Sequence, residues 1–273
     1  MAGITNRAAT GEALLGFDEY CAAIVAQTDL LARHAAGADP AAAVPTCPGW
    51  DLGRLLRHVG GDHRWAEEIV RTRATEPIDD GSVNDPAAYA DLDDTTLGDW
   101  LAEGATALAD TLRAAGPEVR VWTPADEDLV DQSAMFWARR MTYETLLHRA
   151  DATLVTGAEF VVEERLAGDA VEEWLEFSTV PEAYGPLPGV PDLLGPGRAL
   201  HLDAGRAGEW RLDLTGERPS WRRGSGGAVV SVHGRVPDLL LFLYARPAPG
   251  IVTRGDSELL DLWLQRSRFW LEA

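Results

Sequence analysis

Apolar positions in the first half of the chain recur at helical spacing. Between Gly11 and Ala36, the residues Leu14, Phe17, Cys21, Ile24, Val25, Thr28 and Leu31 return with a period near 3.6, one face of an amphipathic helix. A Gly-Ala-Asp-Pro sequence at 37–40 ends it. Val44 to Trp50 (VPTCPGW) is a turn punctuated by Pro45, Pro48 and Gly49. Asp51 is the N-cap of a second helix to about Thr72, with an apolar stripe of Leu52, Leu55, Leu56, Val59, Ala66 and Val70. Residues 76–96 are an acidic, Pro-containing connection carrying Asp79, Asp80, Asp85, Asp91, Asp93 and Asp94, read as a solvated loop. A third helix covers Leu97 to Ala115, stopped by Gly116-Pro117, and a fourth runs from about Asp131 to Thr156, stopped by Gly157. Four helices of this length match a four-helix bundle.

Beyond Gly157 the pattern changes. Glu163 to Phe177 is one more amphipathic helix, followed by a Pro/Gly-rich stretch at 181–197. Short β-like runs follow at Ala199–Asp203, Glu209–Leu214, Pro219–Arg222 and Ala228–His233, and the Gly-containing turns between them predict an antiparallel sheet. Helices at about Pro237–Ala245 and Asp256–Leu271 close the chain. Strands and helices segregated in this way predict an α+β fold: a bundle domain over 1–157 and a smaller α+β domain over 158–273.

Composition narrows the class. With 273 residues, 46% of them apolar, the chain has material for two cores and is too apolar for a disordered protein. The longest apolar stretch, Leu239 to Ala245, is far short of the roughly 20 residues of a membrane span. Met1 to Phe17 has no basic segment leading into an apolar one, so no secretory signal is expected. Twenty-four basic residues against 44 acidic ones leave a net charge of −20, which repels nucleic-acid phosphate. The expectation is a cytoplasmic monomer or homodimer without membrane or nucleic-acid partners. All 24 basic residues are Arg, which together with abundant Ala and Gly fits a GC-rich genome. Cys21 and Cys47 are too few for a disulfide framework or a thiolate cage, and reduced thiols are expected.

The chemistry is concentrated on the fourth helix. Trp137, Met141, Glu144, His148, Ala152 and Val155 fall on one stripe that faces the bundle interior. A Glu there is costly to bury unless neutralised. Glu144 and His148, one turn apart, offer the oxygen and nitrogen donors with which bundles build metal sites. An i, i+4 Glu–His pair equally makes a plain hydrogen bond, and Glu144 equally binds a buried Arg139 or Arg140. A third ligand is required. Helix two offers His58, on the shoulder of its stripe beside Asp62, Trp65 and Ile69, and His63, near the centre. Periodicity favours His63 without settling the choice.

The segments Val44 to Trp65 (VPTCPGWDLGRLLRHVGGDHRW) and Arg139 to Asp151 (RRMTYETLLHRAD) resemble the mycothiol-dependent maleylpyruvate isomerase family of the DinB-like metalloenzyme superfamily. The matching elements are the Pro48-Gly49-Trp50 turn, His58 about eight residues later, and the Glu144-x-x-x-His148 pair. The resemblance implies a DinB-like bundle followed by a domain similar to sterol-carrier proteins. It also implies a divalent cation, most simply zinc, on His58, Glu144 and His148. This overrules the helical wheel and leaves His63 as a neighbour that supports a metal ligand, contacts substrate or packs the core. An Arg of the second domain is expected to meet an anionic cofactor or substrate group. Arg246 and His63 are the candidate catalytic groups, and Arg235 and Arg222 the candidate cofactor contacts. Arg246 follows an apolar helix, where an Arg also serves as a cap.

Three protein ligands leave a tetrahedral cation one open position. The resemblance implies that mycothiol, a low-molecular-weight thiol, occupies it. A thiol ionises near pH 8.5, and coordination lowers that value. The expected function is therefore a metal- and mycothiol-dependent isomerase or thiol transferase in which the metal-bound thiolate attacks a small electrophile. The lysine-free composition fits an actinobacterial host, where mycothiol is the common thiol. Alternatives are a metal hydrolase using bound water and a non-enzymatic metal- or ligand-binding protein, with Cys47 as a possible fourth ligand. Arg64, Arg139, Arg140 and Arg149 lie close in sequence to the ligand segments; they form either a positive funnel for anions or ordinary salt bridges.

Overall fold

The computed structural model describes residues 14–81, 89, 92, 96–124 and 132–271. Asp85, Asp91, Asp93 and Asp94 of the acidic connection, and the expected helix starts at Gly11 and Asp131, lie outside the described residues. The chain divides into a helical unit, 16–161, and an α+β unit formed by the residues from 162 onward together with Leu14 and Leu15. Among the described residues, no helix is long and apolar enough to cross a membrane.

The helical unit contains α1 (Phe17–Ala35), α2 (Leu52–Thr72), α3 (Leu97–Ala115) and α4 (Ala134–Thr156). α1 packs on α3 and α4, and so does α2, so the four form a closed ring. Two of the termini have a clear local cause. The Asp51 side chain accepts the Arg54 amide at 2.7 Å and caps α2. Gly157, at φ 71°, ends α4 in the left-handed conformation that glycine adopts without strain. Gly60 of α2 lies against Trp100 of α3: a Cβ there would meet the Trp100 ring at 1.9 Å. α4 is the innermost helix. Besides the expected stripe it buries Arg140, Thr142, Tyr143, Leu146, Arg149 and Asp151, so it has no solvent face over most of its length.

The connection from α1 to α2 folds into a tight turn that aims at α4. The Val44 amide donates to the Trp50 carbonyl at 3.0 Å, and the Trp50 amide to the Cys47 carbonyl at 3.0 Å. These bonds fix Thr46, Cys47 and Trp50 beside the first turns of α2.

The α+β unit contains α5 (Glu164–Phe177), the single-turn α6 (Pro181–Tyr184), β1 (Ala199–Asp203), β2 (Glu209–Asp213), β3 (Ser220–Arg223), β4 (Val230–His233), α7 (Val236–Leu243), β5 (Val252–Gly255) and α8 (Ser257–Ser267). The sheet order is β3-β2-β1-β4-β5. One sheet face is apolar and buried, with Leu200, Leu202, Trp210, Leu212, Trp221, Val230 and Val232. On α5, the buried Glu172 accepts from Trp210 Nε1 at 2.8 Å and from Arg223 Nε at 2.6 Å, tying the helix to β2 and β3.

The α+β class agrees with the sequence pattern, but the sheet is mixed rather than antiparallel. β1–β2, β2–β3 and β4–β5 are antiparallel, whereas β1–β4 is parallel. The cause is the Gly-rich connection at 224–227, which carries the chain from the β3 edge to the opposite side of β1 instead of closing another hairpin. β5 and α6 have no counterpart in the expected elements; all four residues of β5 are exposed, so it carries no alternation to read.

Candidate metal centre

His58 projects from α2, and Glu144 and His148 from α4, towards one point. Their three donor atoms lie within 4.8 Å of one another. His148 Nε2 is 2.9 Å from Glu144 Oε1, and His58 Nε2 is 3.5 Å from the same oxygen. The second oxygen, Oε2, accepts from Arg140 Nη2 at 2.6 Å, so Arg140 neutralises one side of the carboxylate and leaves the other facing both imidazoles. Both sequence expectations for Glu144, the histidine pairing and the buried arginine, hold together in this way.

A further layer orients these groups. His148 Nδ1–H donates to Asp151 Oδ2 at 3.0 Å. Asp151 is fully buried and also accepts from Thr46 Oγ1 at 2.5 Å and Cys47 Sγ at 3.5 Å. The turn before α2 is thereby latched to α4. Trp50 covers the histidines: its ring centroid is 4.8 Å from that of His58 and stacks 5.9 Å from that of His148. Arg54 lies over the Trp50 ring at 4.8 Å.

The donor arrangement has an electrostatic consequence. With Nδ1–H committed to Asp151, a neutral His148 turns the lone pair of Nε2 towards the Glu144 carboxylate 2.9 Å away. Two acceptors at that distance repel unless a positive charge sits between them. Burial opposes charge on His148, but bonds to Asp151, Cys47 and Glu144 outweigh it and raise its pKa well above the ordinary value. Burial likewise opposes charge on Glu144, yet its histidine partners and Arg140 hold it well below the usual carboxylate range. His58 is raised by Asp62 and Glu144 against the effect of burial. Two imidazole nitrogens and a carboxylate oxygen gathered at one point, each oriented by a further partner, have the donor chemistry for a divalent cation, and the residues fit such an ion.

His63 is not in this group. It is buried, its Nε2 lies 2.8 Å from Thr145 Oγ1, and the Thr145 hydroxyl donates to the Met141 carbonyl, so His63 Nε2 is the donor. Its Nδ1 has no hydrogen-bond partner among the described residues. Burial first, and Arg64 second, lower its pKa to about 3.

The three candidate arginines of the α+β unit have local roles there. Arg222 donates to the Ser225 carbonyl, Arg235 pairs with Asp238 at 2.9 Å, and Arg246 donates to the Tyr244 carbonyl beyond α7. Two of the funnel candidates are engaged with aromatic rings, Arg64 with Trp100 and Arg149 with Phe160. Sequence reasoning gave no part to Asp151. Its signal was the i, i+3 spacing from His148, which puts a carboxylate beside the ring nitrogen that faces away from Glu144.

Residues 21–153 match the profile of the mycothiol maleylpyruvate isomerase N-terminal domain, nearly the whole helical unit and both ligand-bearing helices. The helical unit belongs to this family. A crystal structure of the mycothiol-dependent maleylpyruvate isomerase superposes with a TM-score of 0.62 at 17% identity, covering 89% of this chain and 95% of that one. A crystal structure of a histidine-to-alanine mutant of that enzyme gives a TM-score of 0.61 at 16% identity, with the same coverage. At these identities the likeness establishes the fold. Comparison with the curated proteins finds no significant match.

Proposed function

We propose that the chain is a divalent-metal- and mycothiol-dependent enzyme, an isomerase or thiol transferase acting on a small electrophile. The observation that carries this reading is the meeting of His148 Nε2, His58 Nε2 and Glu144 Oε1 within 4.8 Å, with Nδ1 of His148 already committed to Asp151. The family of the helical unit and the mycothiol-dependent isomerase named among the structural neighbours support the thiol cofactor.

His58, Glu144 and His148 would hold the ion, zinc by the mixed nitrogen and oxygen donors. A divalent cation there supplies positive charge that brings a small thiol's ionisation down from about 8.5 towards neutrality, the chemistry of reversible addition to a conjugated double bond or of displacement of a leaving group. The chain's own residues make that chemistry local. Asp151 holds the His148 proton on Nδ1 and keeps Nε2 free for the ion. Arg140 anchors Glu144 Oε2, so only Oε1 faces the histidines. Trp50 stacks alongside the His148 ring and meets the His58 ring edge-on, which restricts the rotation of both.

Metal analysis of purified wild-type protein and of the His148→Ala variant tests the site: about one equivalent is expected in the first and a clear loss in the second. Equal, near-zero metal in both contradicts it. Turnover of electrophiles with and without mycothiol tests the reaction. Strict thiol dependence is expected, and turnover indifferent to thiol points instead to hydrolysis.

A further inference from the structure

The polar face of the sheet carries a second constellation with catalytic geometry. Ser231 and His233 are two residues apart on β4 and so project from the same face. Asp203 on β1 is the register partner of His233, and β1 and β4 run parallel here. His233 Nδ1 lies 3.0 Å from Asp203 Oδ2, and His233 Nε2 lies 2.9 Å from Ser231 Oγ. The other Asp203 oxygen accepts the Gly205 amide at 2.7 Å, so the carboxylate is anchored from both sides. That amide chiefly, with help from His233, holds the Asp203 carboxyl below the usual range.

The connectivity sets each proton. An ionised Asp203 accepts from Nδ1–H, which leaves Nε2 of a neutral His233 as the acceptor for the Ser231 hydroxyl. This is the nucleophile, base and orienting carboxylate order of acyl-transfer enzymes, recognised by geometry rather than by chain order. Across β4–β5, Arg254 is the register partner of Ser231, and Val252 is the partner of His233. Arg254 is exposed, and Val252 is 51% exposed. Register thus sets an arginine next to the nucleophile and an apolar residue next to the base. Glu209, which lies 3.0 Å from His201, is engaged with that histidine on the same face.

We propose that Ser231, His233 and Asp203 form a nucleophilic site for small-acyl esters, separate from the metal donors. Ser231 Oγ bonds to the acyl carbon while its proton passes to His233 Nε2. The carbon–oxygen bond to the leaving alcohol then breaks, and that proton leaves with the alcohol. Water completes the cycle by the same path in reverse, freeing the carboxylic acid and restoring the Ser231 hydroxyl. Arg254 offers the charge for the oxyanion. The site is open to water, so turnover is slow and the acylated serine is the species to detect.

The test uses the full-length protein and a fluorophosphonate probe, which a nucleophilic serine attacks with loss of fluoride. Peptide mapping by mass spectrometry is expected to find the label on Ser231 of the wild type and to find none at that position in Ser231→Ala. Labelling of Ser231 is expected to slow at least tenfold in Asp203→Asn and in His233→Gln, each checked for its far-ultraviolet circular dichroism. An unlabelled Ser231 in the wild type overturns the proposal, as does a labelling rate that neither variant changes.

Discussion

Replacing Asp151 with asparagine removes one negative charge and few atoms from behind the proposed cation. Asp151 accepts from His148 Nδ1 at 3.0 Å and Cys47 Sγ at 3.5 Å through one oxygen, and from Thr46 Oγ1 at 2.5 Å through the other. In Asp151→Asn the amide oxygen can still accept from His148, and the Thr46 hydroxyl can rotate to accept from the new amine, so packing is preserved. What is lost is the charge that makes the His148 ring basic and fixes its Nδ1–H tautomer. Outer-layer carboxylates of this kind are worth roughly 10- to 100-fold in metal affinity, about 1.4–2.7 kcal/mol. Competition titration of zinc against a chromophoric chelator at pH 7 measures the change directly. Thr46→Val is the control: it deletes only the bond to the opposite oxygen and is expected to shift affinity by less than about threefold. An Asp151→Asn affinity within about twofold of wild type would refute the orienting role. So would a Thr46→Val loss as large as that of Asp151→Asn, because turn stability would then explain both.

Three further outcomes follow from the packing. The folded-state pKa of His63, about 3, lies below its value of about 6.5 in the unfolded chain, so its contribution to stability is complete above pH 6.5 and is lost as the pH falls towards 3. Arg64 and His58 press its pKa down and Glu144 opposes them; urea unfolding at pH 7, 5 and 4 should show His63→Gln losing less stability than wild type, by on the order of 1 kcal/mol per pH unit, and parallel pH curves would contradict this. Gly60→Ala drives a methyl into the Trp100 ring and is expected to cost about 1–3 kcal/mol, a melting temperature lower by several degrees in calorimetry. Asp51→Ala removes the α2 cap and is expected to cost about 1 kcal/mol by urea denaturation, leaving zinc stoichiometry unchanged.

Much of this architecture was legible in the sequence because its signals are local. The apolar period and the Gly116 stop delimit α3 at Leu97–Ala115, and the Asp51 cap marks the start of α2. α4 was legible only in part. Its stripe pointed Glu144 and His148 inward, but burial on all sides, including Arg140, Arg149 and Asp151, depends on neighbours from elsewhere in the chain. The choice between His58 and His63 illustrates the same limit. Both are on the inner half of α2, and what separates them is which residue of α4 each one meets, Glu144 or Thr145. The parallel β1–β4 pair and the exposed edge strand β5 were illegible for a related reason: pairing is non-local, and an edge strand exposed along its length has no period of two.

X-ray absorption spectroscopy of the zinc-loaded protein, recorded before and after addition of mycothiol, tests the central claim most directly. The expected result is a first shell of nitrogen and oxygen alone at about 2.0–2.2 Å before addition, with a single sulfur at about 2.3 Å appearing after it and the histidine signals lost in a His58→Ala, His148→Ala double variant. Sulfur in the shell before any thiol is added would mean that Cys47 closes the site, and a spectrum unmoved by mycothiol would contradict the open position on which the proposed chemistry depends.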